Sequence, residues 1–117
     1  MDNSEFMLIF AIPNDMLMKT YLYFATEENC FETEKFTTEN PLADIKSFLA
    51  DSYVQVQEAE TAAYQAMCDF DKNGYALIEM EDGQGYWIII GIAKFGKCHE
   101  VTSVIKDNRA EAIALAY

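Results

Sequence analysis

Few residues in this sequence could do covalent chemistry. There is one histidine, His99, directly after Cys98, and the two other thiols, Cys30 and Cys68, lie far from it in the chain. A nucleophilic cysteine needs an imidazole within hydrogen-bonding reach. His99–Lys106 reads as a strand, and adjacent strand residues point to opposite faces, so Cys98 and His99 cannot serve each other. A small hydrolase or transferase would need His99 in a cleft beside Cys30, Cys68 or a carboxylate. The plainer reading is a structural histidine and three small core thiols. An odd number of cysteines with no close pair also fits a reducing compartment better than a disulfide framework.

Metal and phosphate chemistry find little support. The sequence lacks four closely spaced Cys and His residues of the kind a zinc site uses. Gly83-Gln84-Gly85 lies in a hairpin with no helix after it, so it is no phosphate cradle. One segment matches half of a calcium loop. Asp69, Asp71 and Asn73 stand at the first, third and fifth ligand positions of an EF-hand, and Gly74 takes the turn position. The bidentate acid belongs at the twelfth position, where this chain has Met80, flanked by Glu79 and Glu81. A strand also follows where the motif needs a helix, and helix-to-strand turns use Asp, Asn and Gly without any metal. The expectation is no cofactor, with Asp69, Asp71 and Asn73 as a weak metal candidate.

General acid–base work needs one carboxyl held in an apolar pocket. Glu5, Glu79 and Glu100 lie nearest apolar strands, and no pattern singles one out.

Charge is the stronger signal. Twenty acids against eight bases give −12 over 117 residues. Residues 1–60 carry twelve acids and three lysines, and residues 61–117 carry eight acids and five bases. The scattered cations argue against direct nucleic-acid binding and against an anionic membrane surface. Basic proteins are the natural partners. Within the acidic half, Glu27, Glu28, Glu32, Glu34 and Glu39 crowd together. On an extended strand Glu32 and Glu34 share a face about 6.6–6.8 Å apart, close to the spacing of backbone phosphates. Asp44 and Asp51, seven apart on a helix, and Glu58 and Glu60 extend that surface. Tyr21 and Tyr23 share a strand face with Lys19, and tyrosine is enriched where proteins dock. The competing reading is a solvated edge whose charges discourage aggregation.

The elements that must position these residues read as follows. Glu5–Pro13 is apolar on both faces, as a central strand is, and Pro13-Asn14-Asp15 is a turn. Leu17–Thr26 alternates, with Met18, Leu22 and Phe24 on one face, and forms a hairpin with the first strand. Cys30–Thr37 is a more polar edge strand. Asn40 caps a helix that has Pro41 at its first position and Leu42, Ile45, Phe48 and Leu49 on its inner face. Ser52-Tyr53 marks a break. A second helix runs to about Asp69 on Val56, Ala59, Ala63, Ala66, Met67 and Phe70, and Lys72-Asn73-Gly74 ends it. Tyr75–Glu81 and Gly85–Phe95 pair across Asp82-Gly83-Gln84, and Tyr86–Ile90 is a second candidate for a central strand. After a turn at Gly96-Lys97 comes the strand His99–Lys106. Asn108, with Glu111 three positions on, then caps a helix that carries Ala110, Ile113, Ala114 and Tyr117.

These elements predict an α+β fold: one domain over residues 1–117, with an antiparallel sheet of five to six strands and two to three helices on one face. The acidic N-terminus is unlike a secretory signal and no apolar run is long enough to span a membrane, so a cytoplasmic protein is expected. The leading functional expectation is a non-enzymatic, acidic protein-binding inhibitor of a basic nucleic-acid-handling protein. In size and charge, though in no motif, it is similar to phage anti-defence proteins (anti-CRISPR or anti-restriction) and to immunity proteins against nuclease toxins. The expected contact residues are Glu27, Glu28, Glu32, Glu34, Glu39, Asp44, Asp51, Tyr21 and Tyr23. A calcium- or small-ligand-binding module built on Asp69–Gly74 is the alternative. Sheet edges and tyrosines also suit a homodimer.

Overall fold

A computed structural model describes residues 19–105. Strand β1 (Thr20–Thr26) leads through a short 3-10 turn (Glu27–Asn29) to β2 (Glu34–Thr38). Helices α1 (Pro41–Asp51) and α2 (Val56–Asn73) follow, then the hairpin of β3 (Tyr75–Glu81) and β4 (Trp87–Lys94), and a short helix α3 (Cys98–Thr102). The fold is α+β, with every strand pair antiparallel and the order β2-β1-β4-β3.

Strand β4 is the spine. Ile88, Ile89, Ile90 and Ile92 are all buried, so both faces of the strand are covered. Full burial of one such side chain is worth about 1.5–3 kcal/mol, so each of the four isoleucines contributes substantially to the sheet. On one face, Leu22, Ile78, Ile88, Ile90 and Ile92 pack against Ile45 and Leu49 of α1 and against Ala59, Ala63, Ala66 and Phe70 of α2. On the other, Tyr21, Tyr23, Ala25, Ile89 and Ala93 pack with Cys98, Val101 and Ile105.

Local chemistry sets the helix ends. The Asn40 side chain accepts the Ala43 N–H at 3.3 Å, and Pro41 follows with its φ already helical. Helix α2 ends at Gly74, whose φ of 81° is left-handed, with its N–H donating to the Phe70 carbonyl.

Four strands are present among the described residues, against the five to six expected. The Glu5–Pro13 strand, the Pro13–Asp15 turn, Leu17, Met18 and the Asn108–Tyr117 helix lie outside the described residues. The expected strand His99–Lys106 is a correction: residues 98–102 form α3. Cys98, Val101, Thr102 and Ile105 are buried at helical spacing, and the bare surface of Gly91 receives Val101. Helices α1 and α2 share one face of the sheet, as expected of two helices, and α3, which stands where a strand was expected, covers the opposite face. The segment before β2 is also shorter in strand than expected. Cys30 and Phe31 take left-handed φ values of 55° and 59°, turning the chain through residues 30–33 before β2 begins at Glu34. No helix among the described residues is long and apolar enough to cross a membrane.

Candidate functional site

The acids do not form the strand row that their spacing suggests. Glu32 sits in the turn, held by a bond from its N–H to the Asn29 carbonyl, and only Glu34 belongs to β2. Glu39 and Asp44 lie beyond the far end of β2. Asp44 accepts a hydrogen bond from the Thr38 hydroxyl, so its carboxylate secures the β2–α1 corner. Glu27 likewise has a structural bond, accepting the backbone N–H of Trp87 at 3.0 Å.

Tyr21 and Tyr23 require a correction. They are only 6% and 0% exposed and belong to the second core cluster, so neither ring is open to a docking partner. Strand β1 is central and covered on both faces, which buries both halves of its alternation. The Lys35 ammonium stands 4.5 Å from the Tyr21 ring centroid and 5.8 Å from that of Tyr23. Burial pushes the Lys35 ammonium below the ordinary lysine range, and attraction to the Cys98 sulfur opposes that shift.

The calcium reading is also corrected. Asp69, Asp71 and Asn73 lie within α2, where successive residues radiate around the axis and cannot wrap one ion as a loop does. The Asp69 carboxylate accepts from the Gln65 amide at 3.3 Å. Among the described residues no group of three or more His, Cys, Asp or Glu side chains could hold a metal.

The nucleophile pairing fails on placement. His99 is exposed on α3, while Cys98 is buried with its Sγ directed to the Lys94 carbonyl at 3.8 Å. Cys68 is exposed on α2, across the sheet from α3, and Cys30 is exposed beyond the end of β1. Two of the three thiols expected in the core are therefore on the surface.

The structure does gather several acids around a residue that sequence reasoning passed over. Tyr53 follows α1 and is 69% exposed, with a left-handed φ of 60°. The Tyr53 N–H donates to the Ala50 carbonyl at 3.0 Å and the Val54 N–H to Leu49 at 3.0 Å. This is a Schellman helix ending, completed by the buried pair Leu49 and Val54, and Tyr53 occupies the place usually given to glycine. An L-residue there costs about 1–2 kcal/mol. A bulky, exposed side chain held at that cost points to a role outside folding.

Tyr53 stands between two hollows. Glu28, Asp51 and Asp82 line one, of about 330 Å³, and Glu58, Glu81 and Asp82 line the other, of about 300 Å³. Among the described residues no lysine lines either hollow. The parts are locked together because the Gly83 N–H of the β3–β4 turn donates to the Ser52 carbonyl at 2.8 Å. A Cβ on Gly83 would lie 2.1 Å from the Tyr53 carbonyl oxygen, so only glycine fits this contact. Asp82 shapes the turn by accepting the N–H groups of Gln84 and Tyr86 at 2.8 and 2.9 Å. Trp87, 40% exposed, and Val56, 73% exposed, are on the same end of the sheet.

Lysines collect at the opposite end. Lys19 precedes Thr20, which pairs with Lys94, while Lys72 lies in the last turn of α2 and Lys97 approaches Gly74. The signal that could have found this site was Ser52-Tyr53, a helix ending without glycine. Comparison with protein-family models, with curated proteins and with solved structures returns no match.

Proposed function

We propose that this chain is a non-enzymatic inhibitor that docks an acidic face on a basic, nucleic-acid-handling protein, as a phage anti-defence protein or an immunity protein to a nuclease toxin would. The observation that carries the reading is the end surface around Tyr53. There, Glu28, Asp51, Glu58, Glu81 and Asp82 surround an exposed aromatic, with Trp87 at the same end of the sheet. Tyrosine and tryptophan are among the residue types enriched at energetically dominant contacts. Carboxylates at this density would occupy the sites where a basic groove holds phosphates. Glu27, Glu28 and Asp51 remain in the proposed contact set, with Glu32 and Glu34 on the adjoining edge. Tyr53 replaces Tyr21 and Tyr23 as the aromatic contact.

The test is capture of host proteins on the immobilised full chain at low salt, followed by the same capture with Tyr53→Ala and Asp51→Lys. A nucleic-acid enzyme should be retained by the wild type and lost from both variants, with the Tyr53 truncation costing about 2 kcal/mol of affinity. Retention of such an enzyme by both variants as strongly as by the wild type would place the contact elsewhere.

A further inference from the structure

A groove of about 620 Å³ runs between one flank of α2 and the strand β3. Strand β3 is at the end of the sheet order, with β4 as its sheet neighbour among the described residues. We infer that this groove accepts an extended basic segment of a partner protein, added to the sheet as a further strand beside β3. This assignment rests on the basic-target reading above and specifies how the target would engage.

Three features argue for this occupant. First, an edge strand carries a row of outward N–H and C=O groups, and a helix beside the edge forms the second wall that strand-addition sites use. Second, the groove is apolar at its base and acidic at its rim. Ala62, Ala66, Ile78 and Met80 supply the base, while Glu58, Asp69 and Glu79 are its only ionisable side chains among the described residues. A lysine or arginine stem can lie on the alanines while its charged end reaches Glu58 or Asp69. Glu79 lies on the opposite face of the strand from Ile78, so cations on the alternate side chains of an added strand would meet it there.

Third, the lengths agree. Glu58 and Asp69 are eleven residues apart on α2, about 16 Å along the axis, which is the span of about five strand residues. A second copy of this chain is the poorer occupant. Its own β3 would bring Glu79 and Glu81 against like charges, and like charges across a strand pair are destabilising. The groove also shares Glu58 with the hollow beside Tyr53, so a target could enter both without a break.

The experiment uses the isotope-labelled full chain and a peptide of about eight residues built from a repeated Lys-Lys-Thr-Thr unit, which places lysines on both faces of an added strand and is long enough to span the groove. Amide shifts at Leu77 and Glu79 and at Ala62, with slowed amide exchange along β3, are the expected result. Affinity should fall about tenfold when salt is raised from about 0.05 to about 0.5 M. Glu79→Lys, an exposed change that leaves the core intact, should weaken binding about fivefold. A fully N-methylated peptide of the same charge should not bind, because it keeps the cations and lacks the donors. Equal binding of that peptide, or shifts confined to Tyr53 and Trp87, overturns strand addition and leaves the basic-target reading standing. Shifts at β3 caused by self-association without peptide overturn it in favour of a second copy. If the peptide seats on β3 while no nucleic-acid-handling protein is captured from lysate, the inhibitor reading fails and the groove assignment stands.

Discussion

The Glu27 carboxylate accepts the backbone N–H of Trp87 at 3.0 Å, tying the turn after β1 to the first residue of β4 across sixty positions of sequence. One acid of the candidate face is thereby committed to holding the end of the sheet in shape, next to the exposed indole. Glu27→Ala is expected to cost about 1.5 kcal/mol in urea unfolding, the range for a hydrogen bond to a charged group. Glu28→Ala should cost nothing measurable. If the two substitutions prove equal, the bond has no structural weight.

Asp51 is the last residue of α1, where the helix presents partial negative charge and no basic residue lies in the final turn. An acid there is unfavourable by about 0.3–1 kcal/mol. Asp51→Lys should therefore raise the melting temperature while weakening capture of a basic target. A stabilised variant that still binds fully would detach Asp51 from the interface.

Tyr53→Gly makes a sharper distinction. Glycine relieves the left-handed strain, so stability should hold or rise by about 1 kcal/mol. Target binding should nevertheless drop by at least tenfold. Thermal melts and binding measured on the same sample give both values, and a loss of stability would mean that the ring packs more than its exposure indicates.

Gly91 and Val101 meet so closely that a Cβ on Gly91 would stand 2.1 Å from Val101 Cγ1. Gly91→Ala should destabilise by about 1–3 kcal/mol, the range for overpacking. Adding Val101→Ala should recover part of that loss, and a double-mutant cycle measures the coupling. Strict additivity would show that α3 can shift away freely.

Lys35 gives a pH signature. Its folded-state affinity for a proton is lowered by burial, so the unfolded chain binds that proton more tightly. Its contribution to stability therefore grows as pH rises from the folded pKa towards the unfolded one. Urea unfolding followed from about pH 8 to about pH 10.5 should show a smaller rise for Lys35→Met than for the wild type. Parallel curves would remove Lys35 as the source.

Much of the fold could be read where local chemistry and tertiary packing agree. Asn40 and Pro41 start α1, Gly74 ends α2, and Asp82-Gly83 turns the β3–β4 hairpin, all as their residue types require. The isoleucine run of β4 is central, as a doubly apolar strand should be. Elsewhere a competing preference won. Val101, Thr102, Val104 and Ile105 favour strand by β-branching, yet burial at Cys98, Val101, Thr102 and Ile105 follows helical spacing. The alternation of Tyr21 and Tyr23 was legible, but not the layer that covers that face of β1. The acidic excess was plain in the composition, while its gathering around Tyr53 depends on the Ser52–Gly83 contact between distant segments.

The concentration of carboxylates around Tyr53, from Glu28 and Asp51 to Glu58, Glu81 and Asp82, has a kinetic consequence. A local concentration of negative charge attracts a cationic surface before contact is made, so collisions are biased towards that end of the molecule. Encounters would then be productive more often than chance allows, and the association rate, more than the dissociation rate, should respond to dilution of the electrolyte.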